Sequence, residues 1–210
     1  TLGFLVVAED HMGHGQSVNG EGVRGYFSGG WFAAVEDTMV LLRGTRAAYP
    51  DIPYILFGHS MGSFMARTIL CKYPDSGISA AVICGTGWQP RALLPPGIAL
   101  IDQVCKKSGE DKPSALLQKL VFGSYNSRVE HPRTQFDWLT RDAKQVDAYI
   151  ANPMCGFTAS AGLLRELMKG IAYIEKPENL AAMNKELPVF FIAGGDDPVG
   201  NYGKGVRKAA

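Results

Sequence analysis

The stretch Phe57-Gly58-His59-Ser60-Met61-Gly62-Ser63 places a serine two residues from a glycine on either side, directly after the apolar run Ile52 to Phe57. The run before the serine reads as a strand, and the segment after it, with Phe64, Ala66, Thr68, Ile69 and Leu70 ending near Tyr73 and Pro74, reads as a helix. A serine caught between a strand and a helix sits on a sharp turn. Side chains two residues before and after it are expected to collide with the neighbouring elements, and Gly58 and Gly62 are expected to remove those collisions.

Working outward, short runs rich in Val, Ile and Phe recur at Phe4 to Ala8, Tyr54 to Phe57, Ala80 to Cys84 and Val189 to Ala193. They are nearly continuous rather than alternating, as expected for parallel strands buried on both faces. Between the first two, Val35, Met39, Leu42 and Tyr49 recur at helical steps, and Pro50 and Pro53 close that helix. The order strand, helix, strand, helix, strand predicts right-handed crossovers in an α/β fold with helices on both faces of a mainly parallel sheet.

After Cys84 the pattern changes for about 100 residues, far beyond an ordinary connection of about 4 to 6. Helical segments are expected at Ile98 to Lys107, Pro113 to Phe122, Arg141 to Ile150, Ser160 to Ile174 and Pro177 to Met183. The chain is therefore divided into a core over residues 1–87, a helical cap insertion over 88–184, and a second, incomplete part of the core over 185–210. Four strands are few for such a sheet, and the chain opens on a strand and closes within a helix. It reads as truncated at both ends.

With 46% hydrophobic and 20% charged residues and a formal net charge of +1, the 210-residue chain is of ordinary globular composition. No block of Lys and Arg suggests a nucleic-acid partner, and no apolar run approaches the roughly 20 residues of a membrane span. Cys71, Cys84, Cys105 and Cys155 form no CxxC pair. Reduced cysteines favour a cytoplasmic setting and give no sign of a disulfide framework or a zinc site.

In its predicted setting the Gly58 to Gly62 pattern matches the G-x-S-x-G nucleophile elbow, against the plainer reading of a glycine-rich turn with an inert serine. Ser60 is the candidate nucleophile, and the N–H of Met61, at the start of the helix, the candidate oxyanion donor. Such a serine needs a base and an acid that orients it. The run Val189 to Gly200, VFFIAGGDDPVG, puts Asp196 and Asp197 just past a strand end; Asp197 is the chosen acid and Asp196 its rival. No histidine follows Asp197, so the base is expected in sequence beyond this chain. His59 is expected to point away from the serine hydroxyl, and His131 to be a solvated loop residue. His11 and His14, spaced H-x-x-H on a loop, read as packed residues in preference to metal ligands, and no cofactor is called for.

Three motifs in order, AEDHMGHGQS (8–17), FGHSMGS (57–63) and FIAGGDDPVG (191–200), make the chain resemble the α/β-hydrolase superfamily, within it the monoacylglycerol lipase and lysophospholipase-like group allied to serine aminopeptidases of the S33 type. Met12 departs from the arginine more usual at its place, and Phe136 to Pro153 is similar to the cap of bacterial lysophospholipase-like members. The resemblance implies Ser60 and Asp197 as triad members and Met61 as one oxyanion donor, with the histidine and the second donor outside this sequence. It implies a serine hydrolase acting on a small-molecule acyl ester, monoacylglycerol or lysophospholipid-like, with transient membrane-surface contact through the cap. An aminopeptidase, another acyl hydrolase of the same fold, or a non-catalytic binding protein are the alternatives, and a cap carboxylate such as Glu166 or Glu175 poised for an amine would favour the peptidase.

Overall fold

The computed structural model describes residues 3–18 and 23–210. Among them three strands, β1 (Ile55–His59), β2 (Ala80–Cys84) and β3 (Val189–Ile192), form a parallel sheet in the order β1-β2-β3. His59 lies opposite Cys84 and Cys84 opposite Ile192, so the three C-terminal strand ends are level. Ser60, Gly85 and Ala193 come directly after those ends, side by side. Loops at this edge of a parallel sheet are where sites of α/β folds collect.

Eight helices surround the sheet: α1 (Trp31–Ala48), α2 (Met61–Lys72), α3 (Leu94–Ser108), α4 (Ala115–Phe122), α5 (Ala143–Ala151), α6 (Ala161–Ile174), α7 (Pro177–Ala182) and α8 (Lys204–Ala209) among the described residues. Ser114, Asp142 and Ser160 cap α4, α5 and α6, each accepting from a first-turn N–H. The expected helices between β2 and β3 are all present within a few residues of their anticipated bounds. The first helix starts at Trp31, so its buried stripe is Trp31, Ala34, Val35 and Met39, and Tyr49 lies exposed just past its end.

α2 is the central helix of the molecule. Every residue from Ser63 to Cys71 is buried, with β1 and β2 against it and α1, α6 and α7 packed around it. One apolar core unites Trp31, Val35 and Met39 of α1, Phe64, Met65 and Ile69 of α2, Ile83 of β2, and Leu163, Leu164, Ile171 and Ile174 of α6. The indole N–H of Trp31 donates to Thr68 Oγ1 at 3.1 Å, which satisfies two polar groups inside that core. The other face of the sheet carries Ile55, Phe57, Phe190 and Ile192, which are exposed among the described residues.

The expected strand at Phe4 to Ala8 is corrected by the structure. The segment is in no ladder with the described strands, and Phe4 and Val6 are 73% and 83% exposed. Its composition favours a strand, but a strand exists only where a neighbour accepts and donates its hydrogen bonds. Leu5 and Val7 instead line a shallow apolar hollow with Val40, Leu41 and Tyr49.

Candidate active site

Ser60 occupies the turn between β1 and α2 with φ 51° and ψ −119°, a conformation that side-chain-bearing residues adopt at a cost. Two features hold it there. Its N–H donates to the Cys84 carbonyl at 3.0 Å, stitching the turn to β2, and its own carbonyl accepts from the Ser63 N–H at 2.9 Å as α2 begins. Gly58 makes the turn sterically feasible: a Cβ there would stand 2.3 Å from the Gly62 carbonyl oxygen and 2.8 Å from the Ala66 Cβ. Gly62 does not have the expected role. A Cβ at Gly62 would meet no described atom within 4 Å, because the first turn of α2 opens onto free space at that point.

Asp197 is joined to β3 through a Gly194-Gly195 turn. Its N–H donates to the Gly194 carbonyl at 3.2 Å, and its Oδ1 accepts from the Val199 N–H at 2.9 Å. The other carboxylate oxygen faces Gly85, lying 3.3 Å from where a Cβ of that glycine would be, and Gly85 itself has φ 59°. Asp196 lines the same cavity, its exposed carboxylate paired with Arg141 at 2.7 Å.

Ser60 and Asp197 line one open cavity of about 860 Å³. Its walls come from the three strand-end loops and from the chain between α4 and α5, including Tyr125, Arg128, His131, Trp138 and Arg141. Tyr125 stacks edge-on against Trp138, and burial, reinforced by the negative charge of Asp197, pushes its phenol up to about 12, so it stays a protonated donor. Of these wall residues the sequence singled out only His131. Tyr125, Arg128 and Trp138 lie in 3-10 turns at Tyr125–Arg128 and Asp137–Leu139, which are too short to carry a period.

Two histidines border the cavity. His59 lines the same cavity as Ser60, with its Nε2 3.5 Å from the point beside Gly85 that Asp197 also approaches. The strand's alternation turns it to the opposite face from buried Gly58, and that face is open. His131 is exposed as expected, yet it too borders the cavity. His14 is packed between Phe27 and Phe157, with Nδ1 3.0 Å from the Met12 carbonyl; burial holds its imidazole below the usual 6.5. Nearby, Asp10 accepts from the Gln16 N–H and fills the space beside Gly15, which has no Cβ to obstruct it. Among the described residues no group of three or more His, Cys, Asp and Glu side chains is arranged to hold a metal.

Glu166 and Glu175 lie outside the cavity walls. Glu166 accepts from the Trp31 N–H at the start of α1 and pairs with Arg165 and Lys169, and Glu175 pairs with Arg67, 3.2 Å away and equally buried.

A family model described as serine aminopeptidase, S33, matches residues 1–209. Monoglyceride lipase of Mus musculus is 27% identical over 199 residues, 93% of this chain and 57% of that protein. Monoacylglycerol lipase of Mycolicibacterium smegmatis is 28% identical over 188 residues, 89% of this chain and 59% of its own length. Among solved structures, a thermostable carboxyl esterase from Bacillus coagulans in complex with glycerol superposes with a TM-score of 0.84 at 28% identity, covering 95% of this chain and 65% of that one. The chain thus spans a little over half the length of these lipases. No helix among the described residues is long and apolar enough to cross a membrane.

Proposed function

The chain has the α/β-hydrolase fold and belongs to the family described as serine aminopeptidase, S33, and from that premise we propose that the whole protein is a serine hydrolase cleaving carboxylic esters, monoacylglycerol or lysophospholipid-like, through an acyl-enzyme on Ser60. The observation that carries this reading is that Ser60, in its strained turn, and Asp197, at the end of β3, open into one cavity. The monoglyceride lipases and the esterase among its relatives favour an ester over a peptide bond. The placement of Glu166 and Glu175 in buried ion pairs leaves neither poised for a substrate amine.

The reaction is a two-step acyl transfer. Ser60 Oγ attacks the ester carbonyl carbon while its proton passes to the imidazole of a histidine acting as general base. Asp197, its Oδ1 fixed by the Val199 N–H, orients that imidazole through the oxygen left facing the cavity. The Met61 N–H, at the positive end of α2, donates to the tetrahedral oxyanion. Collapse of the tetrahedral species breaks the bond to the alcohol oxygen, which takes the proton from the imidazolium as it leaves. Water, deprotonated by the same imidazole, then attacks the acyl-enzyme and releases the acid and the free Ser60 hydroxyl. On this reading residues 88–184 act as a cap between the core parts 1–87 and 185–210, and the reaction uses no cofactor.

A fluorophosphonate probe tests the nucleophile. The full-length protein is expected to be labelled at Ser60, and equal labelling of Ser60→Ala would remove the assignment.

A further inference from the structure

Three successive residues of the acid loop, Asn201, Tyr202 and Gly203, have φ of 47°, 55° and 82°. Gly203 adopts such a value freely, but for a tyrosine it is an outlier that the surroundings must enforce. Backbone bonds close the turn, Asn201 N–H to the Pro198 carbonyl at 3.0 Å and Gly205 N–H to the Gly200 carbonyl at 2.8 Å, and the side-chain contacts come from the chain between α4 and α5. The Ser127 and Tyr202 hydroxyls share a hydrogen bond of 2.9 Å, and the Arg128 guanidinium carbon lies over the Tyr202 ring, 3.5 Å from its centre. On its other side the same tyrosine holds the acid: its N–H donates to the Asp197 carbonyl at 2.9 Å. A second tie between these regions is the exposed pair of Arg141 with Asp196.

We infer that Tyr202 is a positioning residue for Asp197, through which Ser127 and Arg128, on the chain that walls the cavity, fix the orientation of the acid. This rests on the catalytic reading of Asp197. With residues 201–203 at positive φ the Tyr202 N–H meets the Asp197 carbonyl, and on this inference the side-chain clasp on Tyr202 helps to hold that backbone. Arg128 itself lines the cavity.

Ester turnover by the full-length protein tests this with Asp197→Asn, Tyr202→Gly, Tyr202→Phe and Ser127→Ala. Glycine takes positive φ without penalty, so Tyr202→Gly keeps the loop's backbone and deletes the clasp. Its kcat is expected to fall about tenfold with KM within about twofold. The acidic limb of its kcat/KM profile is expected to move to lower pH, because a loosely held carboxylate supports the imidazolium less well. That shift is a signature a merely structural tyrosine would not give. Tyr202→Phe keeps the ring under Arg128, and it and Ser127→Ala should each lose a smaller, equal and non-additive share, since they delete one shared bond. An inactive Asp197→Asn beside a Tyr202→Gly of unchanged kcat and pH profile overturns the positioning role. Should Tyr202→Gly fail to fold, unchanged kcat in both Tyr202→Phe and Ser127→Ala overturns it instead. Undiminished turnover by Asp197→Asn would sink the acid assignment first, and Tyr202's role with it.

Discussion

At the scale of single residues, the two glycines of the elbow separate what a motif records from what a position requires. Alanine at 58 would drive a methyl against the Gly62 carbonyl and the Ala66 side chain, neither of which can swing away. Gly58→Ala is expected to lower stability by about 1 to 3 kcal/mol, the range for overpacked sites, and a denaturant midpoint at unchanged slope reads it. Gly62→Ala meets open space, so its midpoint should stay within about 0.5 kcal/mol of the parent. Equal losses at both positions would contradict the turn as described. His14 gives a second residue-scale expectation. Burial between two phenylalanines lowers its pKa below 6.5, so between the folded and unfolded values the unfolded chain binds more protons. Its contribution is present above about pH 6.5 and is lost as pH falls through the lowered folded value. Thermal melts from pH 7.5 to 5 should drop less steeply for His14→Phe than for the parent; parallel slopes would count against a neutral, buried His14.

At the scale of elements, helix propensity and packing pull one substitution in opposite directions at two sites. Gly44 lies inside α1 with nothing within 4 Å of a built Cβ, so Gly44→Ala should recover about 0.5 to 1 kcal/mol of helix propensity. Gly170 lies inside α6, where a Cβ would fall 2.2 Å from the Trp31 ring. The same propensity gain is outweighed there, because the indole is buried and held by Thr68, and Gly170→Ala should be net destabilising by 1 kcal/mol or more, about the overpacking range. Melting temperatures moving in opposite directions check both; a stabilised Gly170→Ala would mean that α1 and α6 do not meet at Trp31. The seams of α1, α2 and α6 were legible in the sequence because helical spacing is a local property. The close approach of Gly170 to Trp31 was not, since it joins residues 139 positions apart. Phe4 to Ala8 failed for the same reason: the residues favour a strand, and the missing term is a partner strand.

At the scale of the whole molecule, the serine and acid motifs were readable because each is a short run whose spacing carries its own geometry. The cavity between them was not, because Tyr125, Arg128 and Trp138 reach it from turns without periodicity. Least legible was the link that ties the layers together. Arg67, in the middle of α2, donates to the Gly87 carbonyl at 2.9 Å after β2 and to Glu175 at 3.2 Å at the end of α6, with both charged side chains nearly excluded from solvent. Burial dominates both groups: it lowers the Arg67 pKa and raises that of Glu175, each toward its neutral form, against the mutual attraction. The pair is therefore a weak source of net stability and a large liability when halved. Glu175→Gln leaves a buried guanidinium without its counter-charge and should cost about 3 to 5 kcal/mol. Replacing both residues together, Arg67→Met with Glu175→Met, removes the two desolvation costs at once and should recover most of that loss. A double-mutant cycle on denaturant midpoints measures the coupling. Additive losses from the two single variants would show that Arg67 and Glu175 act independently, and that α2 is held against α6 by apolar packing alone.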